Sequence, residues 1–242
     1  MKFIKYHVSL VLSNKKIMKN YFIKGFLCFL YITGSLSFAQ ELKLASDIWP
    51  PFTNSEKEKS IALEIVHQAL SQSNIESTTS ILKFRDVIDG IESNTYDGSA
   101  ALWKTAEREK TMLFSEPYLQ NQLVLVANKN TNVENPNLQG KKLGLIEGYA
   151  YGDEITANKK TEFVFSKNNQ ENLEKLFSGE IDYFLVDNLL IQYMLEYQVN
   201  DVNKYLEIAQ KPYSKKSLHF AINQKVPNAE KLWPTLILRS KK

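Results

Sequence analysis

Short apolar runs of β-strand type alternate along the chain with segments whose apolar residues recur at helical spacing. The runs occupy 42–45, 98–102, 123–127, 142–146, 183–186 and 218–222. Apolar side chains recur at i, i+3 and i+4 in four segments, 61–70, 84–91, 173–177 and 189–197. Strands that alternate with helices of this length predict an α/β fold with mostly parallel sheets.

Two polar segments interrupt this pattern. Residues 128–139, NKNTNVENPNLQ, are rich in Asn and poor in apolar side chains, and residues 211–216, KPYSKK, form a second break. Polar, turn-forming stretches between periodic segments mark linkers or domain edges. Two such breaks predict that the chain crosses twice between two lobes.

The N-terminus has the order of a secretory signal. Lysines precede an apolar stretch at 26–32, and the small-residue sequence Ser-Phe-Ala closes it at 37–39. The apolar stretch is shorter than the roughly 20 residues that span a bilayer. We therefore expect residues 1–39 to be a signal peptide cleaved after Ala39, and the mature protein to be periplasmic. Met18 lies immediately before the charged region and could itself be the start of translation. Residues 1–17 are then a misassigned upstream start, and otherwise they are part of an unusually long charged segment of the signal.

Charge and cysteine content narrow the function of the mature chain. The leader holds six of the 30 Lys and Arg residues and none of the 27 Asp and Glu residues, which leaves a mature net charge of about −3. That charge, without a basic cluster, argues against nucleic acid as a partner. The only cysteine, Cys28, lies in the leader, so the mature chain has no thiol for a disulfide or a metal site. Cys28 also lies too early in the leader for a lipid anchor.

Four motifs follow one another along the mature chain. They are ASDIWPPF at 45–52, YDGSAALWKTAEREKTMLFSEPY at 96–118, LQGKKLGLIEGYAYG at 138–152 and SGEIDYFLVDN at 178–188. In this order and spacing the chain resembles family 3 of the bacterial periplasmic solute-binding proteins, the amino-acid type that serves ABC transporters. The resemblance implies two α/β lobes, each with a central sheet, joined by a hinge. Lobe 1 would be discontinuous, 42–127 plus 212–242, and lobe 2 would be the insertion 128–211.

The resemblance also implies a function. It predicts a monomer that captures a small amino-acid-like or carboxylate-bearing solute between its lobes and delivers it to an ABC permease, without a cofactor. A ligand-sensing module for a membrane receptor is the alternative, and a dehydratase-like enzyme on the same fold is a weaker one. His7, His67 and His219 have no metal-ligand spacing, and nucleophile-elbow, metalloprotease and dinucleotide motifs do not occur. We therefore expect neither catalysis nor a metal site.

Arg108 is the leading candidate for contact with the solute. A guanidinium offers a rigid fork of donors that matches a carboxylate. The resemblance implies that Arg108, in the turn opened by Thr105, holds the ligand carboxylate. Composition alone favours a different role, in which Arg108 caps the start of a helix or pairs with Glu107 or Glu109 on a solvated surface.

Asp187 is the second candidate, and two roles stay open for it. It ends an apolar run and precedes a helical pattern, which is a favourable N-cap position that needs no ligand. The resemblance implies instead that its carboxylate meets the ammonium group of the ligand.

The remaining candidates lie beside predicted strand ends. The loop around Tyr149 and Ala150 follows a strand, and the resemblance implies that its amides donate to the ligand. Trp49 and Trp103 could stack on a planar or cationic ligand group, or could simply pack in the core. Alanines and Trp103 stand where serines are typical of the family. Tyr149 and Ala150 stand where hydroxyl-bearing side chains are common in its amino-acid binders. These departures argue against a standard α-amino acid as the ligand.

The C-terminus departs from the family. Its members continue through a long helix that completes lobe 1, whereas this chain ends with LWPTLILRSKK at 232–242. Pro234 would interrupt a helix that runs from Asn228. We therefore expect a C-terminally shortened lobe 1.

Overall fold

The computed structural model describes residues 41–55, 58, 60–197, 202–230 and 232. The predicted signal peptide 1–39, with its cleavage after Ala39, the choice between Met1 and Met18, and Cys28, lies outside the described residues. So does the predicted interruption at Pro234 in the shortened C-terminal segment.

Ten strands and five helices build the described chain. The strands are β1 Glu41–Ser46, β2 Glu76–Ile81, β3 Gly98–Trp103, β4 Met112–Phe114, β5 Leu119–Asn128, β6 Lys142–Ile146, β7 Glu162–Ser166, β8 Tyr183–Asp187, β9 Leu206–Ile208 and β10 Ser214–Asn223. The helices are α1 Ile61–Ser71, α2 Phe84–Glu92, α3 Asp153–Thr156, α4 Asn169–Ser178 and α5 Asn188–Tyr197. Short 3₁₀ turns lie at Arg108–Lys110 and Val202–Tyr205.

The hydrophobic pattern located the inner elements correctly. The six predicted apolar runs lie within β1, β3, β5, β6, β8 and β10, and the four helical patterns coincide with α1, α2, α4 and α5. The pattern missed the three-residue strands β4 and β9 and the longer strands β2 and β7. The two longer strands form the opposite edges of the sheet, and β2 alternates between exposed and half-buried residues along a polar sequence. An edge strand of this kind lacks the apolar run that identifies an inner strand.

The strands are hydrogen-bonded in the order β2-β1-β3-β10-β5-β8-β6-β7, with β4 added to β10 and β9 added to β5. Within each half the pairs β1–β2, β1–β3, β6–β7 and β6–β8 are parallel. All pairs that involve β5 or β10 are antiparallel. The prediction of mostly parallel sheets was therefore wrong for the middle of the molecule, because two long strands run through it against their neighbours.

These two strands, β5 and β10, join the two lobes. They pair with each other from Leu119↔Leu218 to Leu123↔Ser214. Beyond Leu123, β5 pairs with β8 in one lobe, while β10 beyond Leu218 pairs with β3 in the other. The fold is thus two-lobed with a double-stranded connection. The lobe limits at 128 and 211 stay a prediction.

Lobe 1 buries one helix on each face of its sheet. Along β10, Phe220 and Ile222 belong to the apolar cluster under α1, and Ala221 between them belongs to the cluster under α2. Val66 contributes to the first cluster and Val87 to the second. This is the period-two alternation of a strand that is covered on both faces.

Lobe 2 packs α4 and α5 on its strands through a larger cluster that includes Leu173 and Leu190. Helix α4 begins and ends with standard caps. The Asn168 side chain accepts a hydrogen bond from the backbone N–H of Glu171 at 2.9 Å, and Gly179 ends the helix in the left-handed conformation.

We predict that Gly98→Ala destabilises lobe 1 more than Gly140→Ala does. A Cβ at Gly98 would lie 2.1 Å from the carbonyl oxygen of Ala221 on the paired strand, whereas at Gly140, with φ +71°, it would meet no atom within 4 Å. We expect losses of about 3 kcal/mol for the overpacked strand pair and about 1 kcal/mol for the left-handed residue. Urea unfolding of both variants measures the difference, and equal losses would contradict it.

Candidate functional site

A closed turn after β1 and the end of β3 bring two tryptophans together. The backbone N–H of Trp49 donates to the carbonyl oxygen of Thr53 at 2.8 Å, and the N–H of Thr53 donates back at 3.0 Å. The Thr53 hydroxyl also donates to the carbonyl oxygen of Asp47 at 2.7 Å. Trp49 and Trp103 are both buried, and their ring centroids lie 5.7 Å apart at an interplanar angle of 80°.

The loop after β6 places Tyr149 of lobe 2 against these rings. Gly148 and Gly152 flank it with φ of +80° and +85°, a region that glycine adopts without steric cost. The Tyr149 ring lies 5.5 Å from Trp103 and 6.1 Å from Trp49, centroid to centroid. The sequence-predicted loop residue is therefore at the contact between the lobes.

Tyr151 from the same loop completes the aromatic cluster. Its ring lies 5.8 Å from that of Trp103. Its hydroxyl oxygen accepts a hydrogen bond from the backbone N–H of Ile146 at 3.0 Å, which ties the loop to the end of β6. Tyr151 was not predicted, although it lies in the same Gly-flanked motif as Tyr149.

Asp187 ends β8 and caps α5. Its Oδ1 accepts from the backbone N–H groups of Leu189 at 2.9 Å and Leu190 at 3.1 Å. Its Oδ2 accepts from Nδ2 of Asn121 at 3.0 Å. Asp187 is 3% exposed, and burial raises the pKa of its carboxyl group. The N-cap role is thus present in the structure, and contact with a ligand ammonium stays a prediction.

Asn121, in β5, connects the tryptophans to this carboxylate. It is fully buried, and its Oδ1 accepts from Nε1 of Trp103 at 2.9 Å. Because an indole N–H can only donate and an ionised carboxylate can only accept, the amide has one possible orientation. The hydrogen-bond chain Trp103–Asn121–Asp187 therefore runs from lobe 1 to lobe 2 through a connecting strand. Sequence reasoning missed it, although Asn121 is a polar residue at an inward position of an alternating strand.

These side chains surround one cavity, which we call the cleft. Its lining is Trp49, Trp103, Leu123, Tyr149, Tyr151, Asn169, Leu185, Val186, Asp187 and Leu190. Its volume is about 10 Å³, about the space that one water needs. Four of the seven predicted site residues meet here.

Arg108, Thr105 and Ala150 are the three that do not line the cleft. Arg108 is buried, and its Nη1 donates to the carbonyl oxygen of Trp103 at 2.7 Å. Its guanidinium carbon lies 5.4 Å from the ring centroid of Phe84, a cation–π distance. The Thr105 hydroxyl oxygen accepts from the Arg108 backbone N–H at 3.2 Å, so it orders the turn. Ala150 is half-buried.

A second carboxylate, Asp47, lies at the contact between the lobes. The Tyr149 hydroxyl donates to its Oδ2 at 3.1 Å. Burial raises the pKa of Asp47 to about 6, partly offset by the Tyr149 hydrogen bond and the charge of Arg108. Burial and the neighbouring carboxylate hold the pKa of Tyr149 well above its usual value. Burial lowers the pKa of Arg108 to about 10, so it stays protonated at neutral pH. Sequence reasoning missed Asp47, although it lies in the first motif.

The described residues contain neither a metal site nor a membrane-spanning helix. No group of His, Cys, Asp and Glu side chains there is arranged to hold a metal ion. No helix there has both the length and the apolar character needed to cross a bilayer.

Residues 42–217 match the model of the bacterial extracellular solute-binding proteins, family 3. The chain belongs to this family. The arginine-binding periplasmic protein of Mannheimia haemolytica is 25% identical over 154 residues, which are 62% of this chain and 63% of the relative. The match thus spans less than two thirds of the relative's length.

Solved structures share the fold of this family 3 protein. The ligand-binding core of GluR0 from Nostoc punctiforme in complex with L-glutamate superposes with a TM-score of 0.67 at 20% identity, over 81% of this chain and 91% of that one. The periplasmic VFT2 domain of BvgS from Bordetella pertussis gives 0.68 at 17% identity, over 81% and 86%. At these identities the likeness establishes the two-lobed architecture.

We predict that the stability of this solute-binding protein falls as pH rises through the titration of Asp47. Its pKa is about 6 in the folded protein, against 3.8 for an unperturbed aspartate. The folded state therefore holds the proton more tightly. The stabilisation is complete below pH 3.8 and is lost as pH rises through about 6. The full shift corresponds to at most about 3 kcal/mol, and less because Asp47 is only half-buried.

The measurement is urea unfolding of the wild type and Asp47→Asn between pH 4 and 7. The difference between the two proteins should change over this interval, since the neutral amide cannot titrate. A constant difference would show that Asp47 has an ordinary pKa.

We predict that Asn121→Leu destabilises the protein by about 3 kcal/mol, because it leaves the buried Trp103 N–H and one carboxylate oxygen of Asp187 without their partner. Gln120→Leu, on the exposed side of the same strand, is the matched control and should change stability little. The check is chemical denaturation. Similar stabilities for the two variants would show that the hydrogen bonds of Asn121 do not stabilise the connection between the lobes.

Proposed function

We propose that this chain captures an amino-acid-like or carboxylate-bearing solute in the cleft, in the periplasm, and delivers it as a monomer to an ABC permease. The observation that carries the proposal is that both lobes line one cavity, Trp49 and Trp103 from one side and Tyr149, Tyr151 and Asp187 from the other. A ligand that touches both lobes stabilises their closed arrangement relative to an open one.

Contacts across the cleft support a closing motion. Besides the Tyr149–Asp47 bond, the Tyr193 hydroxyl of α5 donates to Glu58 at 2.6 Å. Arg85 and Glu147 form an exposed ion pair at 3.5 Å. Surface contacts of this kind contribute little individually, so they fit a cleft that opens and closes.

The relatives support a carboxylate-bearing solute. The Mannheimia relative is an arginine-binding protein, and the Nostoc core holds L-glutamate. Among the described residues, Arg108 has a guanidinium that suits such a carboxylate, since its side-chain hydrogen bond there, to the Trp103 carbonyl, occupies only one of its donors. Because these relatives are solute-binding proteins, we expect this chain to bind its solute without changing it covalently. The bound solute should therefore be recovered intact.

We predict that Arg108→Lys weakens carboxylate binding by tenfold or more, about 1.4 kcal/mol, because an ammonium cannot reproduce the bidentate fork. Isothermal titration of the protein with amino acids and small dicarboxylates measures the affinity. Arg85→Lys, at the exposed ion pair, is the control and should bind like the wild type. Unchanged affinity in Arg108→Lys would show that this guanidinium does not hold the ligand.

A sensing role is the second candidate, because the periplasmic VFT2 domain of BvgS and the ligand-binding core of GluR0 share the fold. The two roles differ in what a gene deletion removes. Loss of solute uptake with an intact permease supports delivery to a transporter. Normal uptake with a lost transcriptional response to the solute supports sensing.

A further inference from the structure

Trp103 meets the other three rings of the cleft at steep angles. Around Trp103, the interplanar angles are 80° to Trp49, 79° to Tyr149 and 68° to Tyr151, and Trp49 and Tyr149 are inclined at 59°. All four centroid distances lie between 5.5 and 6.1 Å. Tyr149 and Tyr151, at 6.0 Å, are inclined at only 34° to each other. The rings therefore surround the cavity from several directions and do not form one parallel stack.

This geometry favours one shape of cation. A guanidinium is flat and gains most when it lies parallel to an aromatic face. A fully alkylated ammonium is rounded and carries its positive charge outward in every direction, so each wall of a box can present its negative face to it. Steeply inclined walls thus suit the rounded cation better than the flat one.

The carboxylate in the cleft supplies charge but few vacant acceptor positions. An ionised carboxylate accepts about four hydrogen bonds. Asp187 already accepts from the backbone of Leu189 and Leu190 and from the side chain of Asn121, and the backbone N–H of Gln122 also interacts with it. A primary ammonium brings three donors that need acceptors, whereas an alkylated ammonium brings none.

The charges around the cleft also favour a cation. Asp47 and Arg108 attract each other and offset one another. Lys216, which reaches the loop of Tyr151, is paired with Glu154. Within the part of the chain that the structure describes, Asp187 forms no salt bridge, so its negative charge is balanced by no neighbouring Lys or Arg.

We infer that the cleft selects a compact, fully alkylated ammonium group, such as that of a betaine or choline, in preference to a guanidinium or a primary amine. The inference rests on the proposed function and names the ligand class of the same site. The cation lies among Trp49, Trp103, Tyr149 and Tyr151. Because the rings leave only about 10 Å³ between them, entry of the ligand requires the Gly-flanked loop of Tyr149 to move back.

The test is isothermal titration of the wild-type protein with matched pairs of ligands. Glycine betaine is compared with glycine, and tetramethylammonium with guanidinium. Choline is compared with its neutral carbon isostere 3,3-dimethylbutan-1-ol, and arginine is included. We expect the alkylated ammonium of each pair to bind at least tenfold more tightly, and the neutral isostere to bind much more weakly than choline. Tighter binding of glycine betaine than of tetramethylammonium assigns the carboxylate a share in recognition.

A substitution series at Trp49 separates the cation–π contribution from simple apolar contact. Affinity for the alkylated ammonium should fall from Trp to Trp49→Phe to Trp49→Leu, by about tenfold over the series, because leucine keeps an apolar surface without an aromatic face. Circular dichroism verifies that both variants fold. If either does not, the ligand pairs with the wild type decide the question alone.

The inference is overturned if no alkylated ammonium binds at millimolar concentration, or if arginine or glycine binds more tightly than glycine betaine. Binding of an ordinary amino acid in that case leaves the proposed function intact. Failure of the whole panel to bind would remove the inference alone, because the proposed function also covers amino acids and dicarboxylates outside the panel and is decided by their titration.

Discussion

The amide of Asn121 is the constraint on which the closed arrangement of this protein depends. It lies fully buried on a strand that belongs to both lobes, and each end of the amide has a partner that accepts only one orientation. One end holds the indole of Trp103, and the other holds the carboxylate that begins α5. In a buried environment such bonds are strong, and a missing partner is correspondingly costly. The plane of a cleft ring and the start of a helix in the other lobe are therefore set by one side chain.

The aromatic rings of the cleft are also part of a hydrophobic core. Trp49, Trp103 and Tyr151 belong to the same buried cluster as Leu173 and Ile191 of lobe 2. When the lobes separate, this apolar surface meets water, and the free energy of that exposure opposes opening. The closed arrangement thus has an intrinsic stabilisation that a ligand must replace with its own contacts as it enters.

Much of the fold followed from the sequence because the inner strands and the helices carry clear periodic patterns. The edge strand β2 was not predicted because its sequence is polar. The antiparallel direction of β5 and β10 was not predicted because hydrophobic periodicity carries no information on strand direction. Among the site residues, Trp49, Trp103, Tyr149 and Asp187 could be chosen because each follows or ends a predicted strand. The partnership of Asn121 with two distant residues depends on tertiary pairing, which no local pattern encodes.

The position of two indoles in the cleft affects the intrinsic fluorescence of the protein. The chain has three tryptophans, and two of them, Trp49 and Trp103, line one cavity. The emission of an indole depends on its contact with water and with neighbouring charges, and two of the three indoles of this protein lie where the lobes meet. A change in the separation of the lobes is therefore accompanied by a change in emission, and the protein reports its own closure without a label.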